Sequence, residues 1–374
     1  MSALAGWTEL DDRAVAYARA LSADAVQKVG NGHPGTAMSL APVAYSLFQR
    51  HLVHDPSDPQ WLGRDRFILS CGHSSLTLYI QLFLSGYGLE MKDLQSFRTW
   101  GSSTPGHPEY GHTAGVEMTT GPLGQGVATA VGMAMAARYE RGLLDPTAPA
   151  NTSLFDHSIW VICSDGDLQE GVSAEASSLA GTQELGNLNI IYDDNRISIE
   201  GDTHTTFTED VSGRYRAYGW HVIDVAAAAN GSVDVIALDA AMVAAKKETS
   251  KPTLIRMHSV IAWPAPKAQG TAASHGSALG GDEIKATKIA LGLNSDEDFA
   301  MPAEVLAHAR LVKDRSAAKH AAWDAKFATW KSANPEKASL LERLRVKGLP
   351  VGWDSDIPVL HLTKKLQHVP PLVK

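Results

Sequence analysis

Apolar positions recur at helical spacing near the start of the chain and then gather into short continuous runs. Residues 10–29 carry Val15, Ala18, Leu21, Ala25 and Val29 on one stripe, which Gly30-Asn31-Gly32 ends. The spacing predicts a helix there and a second one after Pro34-Gly35, running through Val43 and Leu47. Strand-like runs follow at Arg66–Ser70, Ile159–Ser164, Leu188–Tyr192, His221–Val225 and Thr253–Met257. Helical stretches lie between them at Gly126–Arg141, Ala174–Leu185 and Val233–Lys247. Short strands alternating with longer helices predict an α/β fold, a parallel sheet with helices on both faces.

Past residue 300 the pattern changes. Residues 302–346 are rich in Ala, Lys and Arg, and Trp323, Phe327 and Trp330 fall at helical spacing. Residues 1–300 therefore read as one domain, and 301–374 as a helical segment followed by an irregular linker with Pro358, Pro370 and Pro371. With 374 residues, 44% of them hydrophobic, the chain can bury a sizeable core. The net charge of −8 and the lack of a Lys/Arg-rich run argue against a nucleic-acid partner. No apolar stretch is long enough to span a bilayer, and the acidic N-terminal segment does not read as a signal peptide. Two widely separated cysteines, Cys71 and Cys163, form no CxxC motif and suggest a reducing cytoplasm.

In a parallel α/β sheet, ligands sit at the carboxyl ends of the strands. His73, Asp165 and Asn195 each follow a strand-like run, which predicts that they share one site. Ser164-Asp165-Gly166-Asp167 ends one strand, and Asp193-Asp194-Asn195 ends the next. Mg²⁺ prefers oxygen ligands in a near-octahedral set that leaves places for phosphate. Asp165, the amide oxygen of Asn195 and a nearby main-chain carbonyl would supply such ligands. Gly166 would let the backbone approach phosphate, and a helix starting near Ser173 would aim its positive end at the anion. Singly, Asp-Gly and Asp-Asn pairs are ordinary turn chemistry; the paired spacing carries the signal.

Four histidines sit on glycine turns: Asn31-Gly32-His33-Pro34-Gly35, Ser70-Cys71-Gly72-His73, Thr104-Pro105-Gly106-His107-Pro108-Glu109 and Ser274-His275-Gly276-Ser277. Imidazoles there can hydrogen-bond phosphate and sugar oxygens and move protons near neutral pH. No HExxH-like spacing supports a zinc site. Thr119-Thr120-Gly121-Pro122-Leu123-Gly124-Gln125-Gly126 opens a helix, but its glycine order is not that of a dinucleotide fingerprint.

Together these segments resemble the transketolase family of thiamine diphosphate enzymes: its GHPG, SxGH, PGHPE and HGxxLG segments, its TTGPLGQG loop, its GDG turn and its DDNxISI run. Ser164 stands where the first glycine of GDG is usual, and Cys71 where Asn is commoner. The resemblance covers roughly residues 10–355, and the tail from His361 to Lys374 matches nothing in it. It implies a thiamine diphosphate-binding fold and transfer of a two-carbon ketol unit between sugar phosphates. The metal (Mg²⁺, or Ca²⁺ or Mn²⁺ in its place) would be held by Asp165, Asn195 and the main-chain oxygen of Ile197. His73 and His275 would contact the diphosphate, while His33 and His107 hold the donor sugar; His33, His107 and His275 are the catalytic candidates. Gly121 and Leu123 would face the aminopyrimidine, with Gly166 and Asn195 completing the cofactor site. Glu170 and Glu175 would lie at a subunit interface, in a homodimer or against a pyrimidine-binding domain.

The resemblance also implies a glutamate in that second domain, for which these residues contain no counterpart; nor do they carry the family's Arg-Lys pair at the end of the linker. A cofactor-binding module inactive without a partner is therefore an alternative reading. Dihydroxyacetone synthase, which shares the motifs, is another. The PGHPE and DDNxISI segments disfavour a deoxyxylulose phosphate synthase.

Overall fold

Five apolar runs pair into one wholly parallel sheet in the computed structural model, which describes residues 4–149 and 152–358. The strands are β1 (Arg66–Leu69), β2 (Ile159–Ser164), β3 (Leu188–Asp194), β4 (His221–Val225) and β5 (Thr253–His258). Their order across the sheet is β1-β2-β3-β5-β4, so β5 inserts between β3 and β4. The strands begin at the residues the apolar runs predict. β3 ends two residues later than expected, because Asp193 and Asp194 continue the ladder opposite Met257 and His258.

All of β2 and β3 is buried, since helices cover both faces of the sheet. Phe67, Leu69, Trp160, Ile162, Ile191, Ile255 and Met257 pack into one core with the helices Glu9–Val29, Leu76–Ser85 and Val235–Lys247. The alternate residues Ile68, Ile159, Val161, Cys163, Leu188, Ile190 and Leu254 pack into the other. That core includes residues of the helices Gln125–Leu144, Gly171–Thr182 and Val211–Ala217.

The segment after Pro34-Gly35 departs from expectation. It is not one helix but Pro34–Ser39, then Ala41–Ser46, then a wide π turn at Leu47–His51. Pro42 has no N–H to give the Met38 carbonyl, so the first piece stops at Leu40. The Ala/Lys/Arg-rich stretch forms three helices, Ala303–Arg310, Val312–Ala333 and Pro335–Arg345. The chain divides into two compact units at Phe327/Ala328. In the first, Trp323 stacks on Phe327 with ring centres 4.7 Å apart. In the second, Lys331 pairs with Glu342 at 3.3 Å. The segment His361–Lys374, with Pro370 and Pro371, lies outside the described residues. Among the described residues no helix is long and apolar enough to cross a membrane.

Candidate active site at the carboxyl ends of the strands

Loops far apart in sequence meet beyond the ends of β1, β2 and β3. Two glycines allow the approach. A Cβ at Gly35 would lie 2.4 Å from the Ser274 carbonyl oxygen, so glycine is needed to bring the His33 turn against the His275 turn. A Cβ at Gly72 would lie 2.6 Å from Thr120 Oγ1 and 2.8 Å from the Gly121 nitrogen, so glycine also lets the His73 turn touch the glycine loop.

The result is a cavity of about 360 Å³ lined by His33, His73, His107, His275, Gly121, Leu123, Gly166, Glu170, Asn195 and Ile197. Thr36, Ser164, Gln169, Ser198 and Ile199 complete the lining. The imidazoles of His33, His73 and His275 form a triangle with ring centres 5.1 to 5.5 Å apart. Each has a buried ring nitrogen without a hydrogen-bond partner: His33 Nδ1, His73 Nε2 and His275 Nδ1. Burial pushes the His33 pKa down to about 4, aided by His275, Arg98 and His107. Burial, then the neighbouring rings, holds His73 well below its usual range; burial also lowers His275, and burial with Arg98 lowers His107. Near neutral pH these rings are uncharged, so each has one nitrogen to donate and one to accept.

Asp165 and Glu175 are not brought into this cavity. Asp165 starts a short helix, Asp165–Gln169, capped by Ser164. Asp165 is buried and lines a separate cavity with Tyr192, Asp194 and Arg196, and its carboxylate accepts from Tyr192 Oη at 2.7 Å and the Arg196 N–H at 3.2 Å. Burial raises its pKa to about 7; the Tyr192 and Arg196 hydrogen bonds oppose the rise and the charges of Asp193 and Asp194 add to it. Asn195 Oδ1 accepts from the Ile197 N–H at 2.9 Å, and its amide nitrogen donates to Asp193 at 2.9 Å. The other two strand-end acids have partners of their own. Asp193 accepts from Ser259 Oγ at 2.5 Å, while Asp194 pairs with Arg256 at 2.7 Å and His258 at 3.0 Å. Glu170 and Glu175 are both exposed on this single chain.

The donor chemistry suits a hard cation. Asp165 and Asn195 offer oxygens from neighbouring strand ends, and a carboxyl raised by burial and like charges is short of positive charge. Among the described residues no group of three or more His, Cys, Asp or Glu side chains is placed to hold a metal. A metal here would therefore draw on amide, main-chain and phosphate oxygens as well as one carboxylate. Asp167 received no role from the sequence, yet it is wholly buried beneath the cavity and holds four hydrogen bonds. Its trace was readable in Ser164-x-x-Asp167, the pattern of a helix capping box.

A doubly covered parallel sheet with neutral imidazoles, glycine turns and oxygen donors at its strand ends defines a domain for an anionic cofactor. Residues 10–350 match the family described as "Transketolase, thiamine diphosphate binding domain", and the chain belongs to that family. It is 57% identical over 352 residues to a transketolase of Mycobacterium leprae, covering 94% of this chain and 50% of that one. With a transketolase of Halalkalibacterium halodurans the identity is 47%, over 96% and 52%. A solved transketolase from Pichia stipitis superposes with a TM-score of 0.88 at 43% identity, covering 94% of this chain and 51% of that one. The chain thus spans about half the length of the curated relatives it matches.

Proposed function

We propose that this chain supplies the cofactor-binding half of a transketolase, which moves a two-carbon ketol group from a ketose phosphate to an aldose phosphate. The observation that carries the reading is the triangle of His33, His73 and His275, each with a buried nitrogen lacking a partner, around a cavity walled by the glycine loop and Asn195. Orphaned buried donors and acceptors are costly unless a ligand satisfies them. Pichia stipitis transketolase structures are described in complex with sedoheptulose 7-phosphate and with fructose 6-phosphate, which supports sugar phosphates as substrates.

When bound, thiamine diphosphate supplies the electron sink for breaking the bond beside the ketose carbonyl. Asp165, Asn195 and the Ile197 carbonyl would hold its Mg²⁺, or Ca²⁺ or Mn²⁺ in its place. His73 and His275 would donate to diphosphate oxygens. His33 and His107 would hold the donor sugar's hydroxyls and carbonyl, with His275 beside them, and being neutral they can take or give a proton there. Main-chain groups of Gly121 and Leu123 would meet the pyrimidine ring, and Gly166 would let the backbone approach the diphosphate. Glu170 and Glu175 would face a second subunit or a pyrimidine-binding domain, which also supplies the acid on the ring. The two buried free cysteines fit a cytoplasmic setting, and ketol transfer between sugar phosphates would place the enzyme in the pentose phosphate pathway.

Calorimetric titration with thiamine diphosphate, with and without Mg²⁺, tests the site. Metal-dependent binding is expected; absence of binding both alone and with a separately expressed pyrimidine-binding domain would overturn it. Ketol transfer in the mixed sample supports the enzyme reading. Binding without turnover there would leave this chain a cofactor-binding module, which its half-length match also suits.

A further inference from the structure

A buried carboxylate with no role in the chemistry above sits where three walls of the cavity meet. Asp167 Oδ1 accepts from the Ser70 hydroxyl at 2.7 Å and from the Gly124 N–H at 2.9 Å. Its Oδ2 accepts from the Ser164 N–H at 2.9 Å and the Ser164 hydroxyl at 3.2 Å. Ser70 Oγ in turn accepts from the Val127 N–H at 3.1 Å. One side chain thereby joins the end of β1, the glycine loop with the first turn of its helix, and the turn carrying Asp165 and Gly166.

All four acceptor positions of the carboxylate are used, so it has none left for a ligand. Its strength is structural. Hydrogen bonds to a carboxylate are roughly twice as strong as those between neutral groups. The Val127 N–H belongs to the first turn of Gln125–Leu144, where amides have no partner within the helix. Loop and turn also touch at the cavity: a Cβ on Gly166 would lie 2.9 Å from Leu123 Cδ1.

We propose that Asp167 is a positioning residue that locks the glycine loop to the Asp165–Gly166 turn, so that the wall facing the cofactor ring is held in register with the wall facing its diphosphate; this rests on the cofactor reading above. The Ser70 and Gly124 bonds hold the ring side, and the Ser164 bonds hold the metal side. Removing the Ser70 bond should loosen the loop, which then keeps only the Gly124 bond, and leave the turn in place.

The variants S70A and D167N in the full chain test this by amide hydrogen exchange and calorimetry. S70A is the milder change and keeps the Ser164–Asp167 bonds, so the test survives if D167N fails to fold. Exchange in residues 119–127 is expected to rise roughly tenfold in S70A, with residues 188–194 unchanged. Mg²⁺-dependent affinity for thiamine diphosphate should fall roughly tenfold, while that for inorganic pyrophosphate, which has no ring, stays within about twofold. Unchanged exchange in 119–127 would overturn the lock. Equal loss for both ligands would also overturn it, by assigning Asp167 to the metal turn alone. A wild-type chain that binds neither ligand counts against the cofactor reading instead, and exchange in 119–127 then decides the lock by itself.

Discussion

The core histidine His54 and the half-buried histidines of the site differ in how their ring nitrogens are satisfied. His54 sits in the core with both nitrogens satisfied, Nδ1 2.7 Å from Tyr87 Oη and Nε2 2.8 Å from the Phe48 carbonyl. His33, His73 and His275 sit at the strand ends, each with a buried nitrogen that has no partner. Desolvation acts on both, driving His54 and His33 alike down to about 4. Satisfaction separates them. Charged groups differ in their counter-charges: Lys288 is buried between Asp24 at 2.8 Å and Asp298 at 2.6 Å, whereas Asp165, though hydrogen-bonded to Tyr192 and Arg196, lies buried among like charges. In these pairs the group in the core meets its counterpart, while the group at the site is left with a nitrogen lacking a partner or a charge lacking a counter-charge.

If that division is right, damage to the first set should move stability and damage to the second should move binding. The largest effect is expected for Lys288→Met, which leaves the Asp24 carboxylate buried without its counter-charge, with the Phe299 N–H still bonded to it. Denaturant unfolding should show a loss of about 3–5 kcal/mol, with cofactor affinity of the folded protein unchanged. A stability equal to wild type would dissolve the distinction.

Acid should act next. His54 is held at about 4 in the fold, by burial first, against an ordinary value of 6.5. The unfolded chain therefore takes up the proton first, so the contribution is complete above pH 6.5 and is lost as pH falls through 4. It amounts to as much as about 3 kcal/mol. Melting temperatures from neutral to acidic pH should fall less steeply in His54→Gln than in wild type; parallel curves would refute it.

On the site side, Asp165→Ala should weaken Mg²⁺-dependent cofactor binding by on the order of 100-fold, the loss of a charged ligand. Its melting temperature without cofactor should not fall, because an acid strained by burial and like charges is removed. Metal dependence that survives in this variant would sink the metal assignment. The smallest change is expected for His73→Ala. About tenfold in affinity with an unchanged melting temperature would place it in the ligand set; a fall in stability like that of a core histidine would move it to the other.

Much of this was legible in the residues. The runs that became β2 and β3 are mostly apolar because both sheet faces are covered, and that burial is visible as composition. The glycine turns were visible as motifs, and the close approaches at Gly35 and Gly72 give their physical reason. The break at Leu40 was also within reach, since Pro42 stood in the segment read as one helix.

What the chain determined by itself, then, is whatever depends on neighbours in sequence: strand and helix periods, turn chemistry, and which residue types stand at the strand ends. The tertiary structure alone decided the insertion of β5 between β3 and β4, the triangle of His33, His73 and His275, and the junction at Asp167. The physical reason is range. Backbone periodicity is written within a few residues, but which of several compatible partners a strand, an imidazole or a carboxylate meets is settled by packing the whole sheet at once. Asp167 lies 97 residues from Ser70 and 43 from Gly124 along the chain, and only the fold brings them together.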